Sequence, residues 1–229
     1  MRISRRAVGA AAGVTLALGA TTALAAPAAS AAPATASKAS VAATHKLGTK
    51  SLVSVLAADK SGFDRNGKDF DVLTAAVVAV LKAKPKSAVG VLGNGKVALT
   101  AFIPNDDAFR YLVRDLTGKG PRSEADVFKA VASLGIPTVE KVLLYHVVPG
   151  KTITARMALK SNGAHLKTAL GPTIKVRVTK HGLFLQDKDP NARNPKVVAV
   201  DINKGNRQIA HAIDRVLRPL DLPPVARHH

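Results

Sequence analysis

Val139-Glu140-Lys141-Val142-Leu143-Leu144-Tyr145-His146-Val147-Val148-Pro149-Gly150 is an apolar run with two polar rings set inside it. Moving an unpaired hydroxyl or ring nitrogen into an apolar interior costs about 1 to 3 kcal/mol, so Tyr145 and His146 should each have a fixed partner. The spacing predicts a buried segment that opens as a helical turn. Thr138 is the expected cap, Glu140 and Lys141 face water, and Val142, Leu143 and His146 face inward. Pro149-Gly150 is expected to end it.

Two other segments flank this run. The first is Leu99-Thr100-Ala101-Phe102-Ile103-Pro104-Asn105-Asp106-Asp107-Ala108-Phe109. The last is Gln208-Ile209-Ala210-His211-Ala212-Ile213-Asp214-Arg215-Val216-Leu217-Arg218-Pro219. In this order the three boxes resemble the fasciclin domain family, whose middle box reads like Leu-Tyr-His-Val-Val-Pro-Gly. The resemblance runs from about residue 50 to 222 and implies a β-rich wedge flanked by helices. It also implies adhesion, because in matrix-adhesion relatives the Tyr-His pair is associated with integrin-type cell contact; the matching residues are Tyr145 and His146. His211 and Asp214 belong to the last box. The chain departs from the family pattern at Asn105, at Gly205-Asn206-Arg207-Gln208 and at Ala210 and Ala212, where other residues are usual.

Of 229 residues, 47% are hydrophobic but only 3% aromatic, so the core must be built from Val, Leu, Ile and Ala. There is no cysteine, which removes disulfides, thiolate metal sites and cysteine nucleophiles together. Arg2, Arg5 and Arg6 precede an uncharged stretch over 7–26, and Ala29-Ser30-Ala31 follows as a small-residue cleavage pattern. That order predicts a secretory signal peptide over 1–31, with Ser4-Arg5-Arg6 as a weak twin-arginine feature. Residues 32–46, rich in Ala, Pro, Ser and Thr, read as a flexible spacer. A single domain is expected over 47–222, with 223–229 as a tail. Residues 1–31 carry three arginines and no acid, so the net charge falls from +19 to +16 on export.

Apolar spacing predicts helices over 51–59 and 71–82, with a charged, glycine-rich loop between them. A strand over 98–103 follows, then a helix capped by Asn105 with Asp106 and Asp107 in its first turn. A capping box at Ser123 and Asp126 starts a helix over 123–134, which Gly135 ends. After the central box come a short helix over 154–159 and strands over 173–179, 183–186, 196–202 and 209–217. Residues 188–195 read as a polar loop. Helices first and strands later make this an α+β domain.

Candidate chemistry is sparse. Gly90, Gly95 and Lys96 have the spacing of a phosphate-binding loop, but Val97 stands where Ser or Thr is required and a strand follows, so a turn is expected. His146, His211 and Asp214 suggest a zinc site, yet His211 and Asp214 on one strand point to opposite faces, so no metal is expected. No Gly-x-Ser-x-Gly elbow or His-Glu-x-x-His pattern occurs, and neither catalytic residues nor a cofactor is expected. Arg110, Arg114, Lys119 and Arg122 form the candidate anion patch. The expected function is a secreted, non-catalytic adhesion or matrix-interaction module, extracellular or associated with the cell wall. The alternative is a basic protein that binds anionic cell-wall polymers; nucleic acid is not expected, since few aromatics are available for stacking.

Overall fold

The computed structural model describes residues 46–221. The expected leader over 1–31, nearly all of the spacer over 32–46, and residues 222–229 lie outside the described residues. Among the described residues, no helix is long and apolar enough to cross a membrane.

Side-chain caps start most of the helices. Ser51 accepts a hydrogen bond from Ser54 N at 3.2 Å and opens α1 (Leu52–Leu56). This helix stops short of the expected Asp59, whose carboxylate accepts from both the backbone and the hydroxyl of Ser61 and so favours a local turn. The next helix, α2 (Asp71–Ala83), has no cap in its own sequence. Asp106, far along the chain, caps it by accepting from Asp71 N and Val72 N, both at 3.0 Å. Asp106 N and Asp107 N in turn donate to the carbonyls of Asp69 and Gly67, so each segment satisfies the other's orphan amides. Burial, with Asp69 beside it, pushes the Asp106 carboxyl up to about 8.

A 3-10 turn at Ala88–Gly93 leads to β1 (Leu99–Pro104), buried throughout. Asn105 caps α3 (Asp106–Thr117) through Ala108 N, and Ser123 caps α4 (Glu124–Ala132) through Asp126 N. The central run departs from expectation. Its helix, α5 (Ile136–Tyr145), begins at Ile136 with Pro137 in the first turn, after Gly135 at φ +81°, so Thr138 lies inside the helix instead of capping it. After His146 the chain becomes a strand, β2 (Val147–Pro149), because β1 offers it a ladder with Thr100 opposite Val148. Apolar content alone does not separate a buried helix from a buried strand.

Thr154 caps α6 (Ala155–Leu159), and five strands follow: β3 (His165–Lys167), β4 (Thr173–Thr179), β5 (Gly182–Gln186), β6 (Val197–Ile202) and β7 (Gln208–Ile213). The last strand ends at Ile213, short of the expected 217, as Asp214 turns aside to bond Lys196. The short β3 has no signature in the sequence. One sheet runs β2-β1-β7-β6, with β1 and β7 parallel and the outer pairs antiparallel; the second runs β3-β4-β5. This is the expected α+β class. Leu99, Ala101 and Ile103 of β1, with Ala210 and Ala212 of β7, face a core shared with the helices. Phe102 and Ile213 face a second core with Tyr145, Ile174, Val176, Leu185 and Leu217. Strands buried on both faces read as near-continuous apolar runs, which is how β1 and β7 appear apart from the buried polar residues Thr100, Gln208 and His211.

Gly95, the residue that suggested a phosphate loop, is required for packing. A Cβ there would lie 1.7 Å from the backbone oxygen of Thr49, whereas one at Gly93 would meet nothing within 4 Å. Gly95→Ala is therefore expected to destabilise the protein by more than about 2 kcal/mol in chemical denaturation, and Gly93→Ala by less than about 1 kcal/mol.

Candidate functional site

The Tyr145-His146 pair lies where α5 gives way to β2, between the two cores. Tyr145 is fully buried and donates its hydroxyl to the carbonyl of Thr173 at 3.3 Å; burial, with Asp187 nearby, pushes the phenol up to about 12. His146 is 4% exposed, and both ring nitrogens are engaged. Leu217 N donates to Nε2 at 2.9 Å, so Nε2 carries the lone pair. The hydrogen therefore sits on Nδ1 and is donated to the carbonyl of Val142 at 2.7 Å. Burial pushes this imidazole down to about 4, outweighing the Val142 bond, and it is neutral. The His146 carbonyl also accepts from Phe102 N at 2.9 Å, so one residue joins all three boxes.

His211 is fully buried on β7. Asp201 N donates to its Nδ1 at 3.3 Å, which assigns the hydrogen to Nε2, donated to the Ile153 carbonyl at 2.8 Å. Burial lowers its pKa also. Asp214 accepts from Lys196 N at 2.7 Å and ties the start of β6 to the end of β7. His146, His211 and Asp214 thus serve three separate backbone junctions. None of them joins a cluster of metal-ligating atoms among the described residues.

A fasciclin domain model matches residues 71–219. The chain belongs to the fasciclin domain family. It is similar to a solved FAS1 domain pair from the insect cell adhesion molecule fasciclin I, at 18% identity and a TM-score of 0.45, covering 64% of this chain and 46% of that one. The chain thus spans under half the length of that relative. No curated protein matches it.

Two residues that the sequence did not single out brace this fasciclin domain. Gln208, in the departure before the last box, is fully buried and fully bonded: its amide donates to the carbonyls of Val91 and Asn94, and its oxygen accepts from Leu52 N. Arg218 is buried between Asp189, at 3.0 Å, and Asp115. Burial acts to raise the Asp189 carboxyl, but the Arg218 bond and the amides of Asn191 and Ala192 hold it below its ordinary value. The 188–195 loop is therefore pinned by an ion pair. A repeating motif would have exposed these roles; single residues whose partners lie 29 to 156 positions away leave no such pattern.

The candidate anion patch is divided. Arg110 is half-buried against Glu124 at 3.1 Å, while Arg114 and Arg215 stack on Tyr111, at 4.9 and 3.6 Å from the ring centre. Lys119 and Arg122 are exposed in the loop beyond α3. The ladder of the second sheet makes a different cationic surface. His165 stands opposite Lys175, Lys167 opposite Thr173, and Arg177 opposite Phe184, all on the face away from Ile174 and Val176. Among the described residues, no acid forms an ion pair with His165, Lys167, Lys175 or Arg177.

His146→Ala would leave the Leu217 amide and Val142 carbonyl unpaired around a cavity. The expected loss is about 4 kcal/mol in denaturant unfolding, against about 1 kcal/mol for Tyr145→Phe. The pH dependence carries the same signature. The unfolded value of His146 near 6.5 lies above its folded value, so between them the unfolded chain binds more protons. Stability from this group should fall by about 3 kcal/mol as pH drops from about 6.5 to about 4. The difference between wild type and His146→Ala across that range isolates it.

Proposed function

We propose that this chain is a secreted, non-catalytic interaction module that holds to a partner at the cell surface or in the extracellular matrix. The fasciclin model match over residues 71–219 is the observation that carries this reading. Fasciclin domains mediate adhesion. In this proposal Tyr145, His146, His211 and Asp214 build the module, because the Tyr145 hydroxyl, both ring nitrogens of each histidine and Asp214 Oδ1 are already committed to the backbone. Contact then falls to the outside of the domain, with no metal or cofactor.

A second reading, binding to anionic cell-wall polymers, is favoured by the outer face of β3-β4-β5. Cations at 167, 175 and 177, with His165 beside them and no acid among them, suit a chain of negative charges, and the net charge of +16 that remains when the three arginines of residues 1–31 are removed from +19 draws such a polymer in. Arg114, Lys119 and Arg122 are the further candidates for that contact.

Salt separates the two. Retention of the exported protein on cell envelope should persist up to about 1 M salt, where the Debye length shrinks to about 3 Å, if the contact is adhesive and largely uncharged. Elution at high salt, with loss of low-salt retention in the Lys175→Glu/Arg177→Glu variant, would replace this reading with the polyanion one. Arg114→Glu/Lys119→Glu tests the other patch in the same assay.

A further inference from the structure

Five of the chain's 15 acidic residues, Asp64, Asp69, Asp71, Asp106 and Glu124, gather where the loop before α2 meets the starts of α3 and α4. One oxygen each of Asp64, Asp69 and Asp71 lie within 4.8 Å of one another, and so do those of Asp69, Asp106 and Glu124. In a chain with more than twice as many cations as acids, this concentration is not a consequence of composition.

The second group is already satisfied. Asp106 accepts the two α2 amides, and Glu124 accepts from Asp64 N at 2.7 Å and from Arg110. In the first group Asp64 Oδ1 accepts from Asn66 N at 2.6 Å, but one oxygen each of Asp69 and Asp71 is left over. Only three buried side-chain polar atoms among the described residues lack a hydrogen-bond partner, and two of them are Asp69 Oδ1 and Asp71 Oδ2. Asp71 is 9% exposed, and neither of its oxygens accepts a hydrogen bond among the described residues. Among the described residues, the one cation in an ion pair with any of the five carboxylates is Arg110, on Glu124. Asp69 shares a hydrogen bond with the Asp106 carboxyl, so it is Asp71 that lacks both a counter-charge and a donor, and a cation supplies both at once.

The loop is held for such a role. Gly67 approaches α3 so closely that a Cβ would lie 2.2 Å from Asp107 Oδ1, and the Gly67 and Asp69 carbonyls accept from the first amides of α3. Asp64 sits at the exposed rim, open to water.

We propose that Asp64, Asp69 and Asp71 form a binding site for a hard divalent cation of the calcium class, with Asp106 and Glu124 fixing the loop that carries it. The donors are all carboxylate oxygens, which suits calcium and excludes the softer metals that select nitrogen or sulfur. Magnesium suits such a site less, because it demands near-ideal octahedral geometry and gives up its own water reluctantly, whereas calcium accepts irregular oxygen shells. Water completes the shell on the Asp64 side.

The site is independent of what the domain adheres to, and its test is thermal and calorimetric. Calcium chloride titrated into the chelator-treated full chain should raise the melting temperature and give saturable heat, with Kd of about 10⁻⁴ to 10⁻³ M, the range of extracellular calcium modules. Magnesium at the same concentration should bind at least about tenfold more weakly. Asp71→Asn should weaken calcium binding at least about tenfold while leaving the calcium-free melting temperature equal or higher, since it removes like-charge repulsion. Asp64→Asn, at the exposed rim, should weaken it likewise and decides the matter if Asp71→Asn does not fold. Glu140→Gln, on a distant ion pair with Lys84, should bind as wild type. No saturable heat from the folded wild type, or an equal response in wild type and Asp64→Asn, overturns the proposal.

Discussion

A neutral imidazole seated between two cores sets the terms for the rest of this domain. His146 takes the Leu217 amide on one nitrogen and gives the other to Val142, while its own carbonyl receives the Phe102 amide. Three chain segments that would otherwise be free to slide past one another are thereby fixed in register. The arrangement needs the ring uncharged: a protonated Nε2 would face the Leu217 amide donor to donor in an environment that does not solvate charge. Tyr145, one residue earlier, points its hydroxyl to the second sheet at Thr173, so adjacent side chains anchor adjacent layers. Deeply buried polar groups with complete partners specify one packing among many apolar alternatives.

The same logic recurs at the edges of the helical layer. Asp106 caps a helix it does not belong to, and Gln208 bonds α1 and the 3-10 turn to the start of β7. Arg218 closes the far side through Asp189 and Asp115. With no disulfide available, long-range polar bonds of this type carry out the cross-linking. They also sort the charge: acids are drawn inward to caps and ion pairs, and the exposed surface keeps an excess of lysine and arginine. The basic exterior and the buried acidic cluster are two sides of one distribution.

The three boxes made the family and the α+β class legible in the sequence, because each box is a continuous segment whose apolar pattern and polar insertions survive in one dimension. Caps at Asn105 and Ser123 were legible too, since a cap acts within three residues. The beginning of α5 was misplaced by three residues, and the passage from helix to strand after His146 left no mark, because both states bury the same side chains. β3 owes its existence to β4, against which it pairs from His165 to Lys167.

By itself, then, the sequence determined a cysteine-free, basic fasciclin chain and the presence of a buried Tyr-His pair. Only the tertiary structure decided what that pair holds, that Arg110 is matched by Glu124, and that His165, Lys167, Lys175 and Arg177 share one face. It alone brought Asp69 and Asp71 together with Asp64, leaving buried oxygens unpaired. The physical reason is range. Periodicity and capping are set by neighbours within a turn or two, whereas hydrogen-bond partners, counter-charges and the solvent exposure that fixes a titration are set by segments that meet only when the chain has folded.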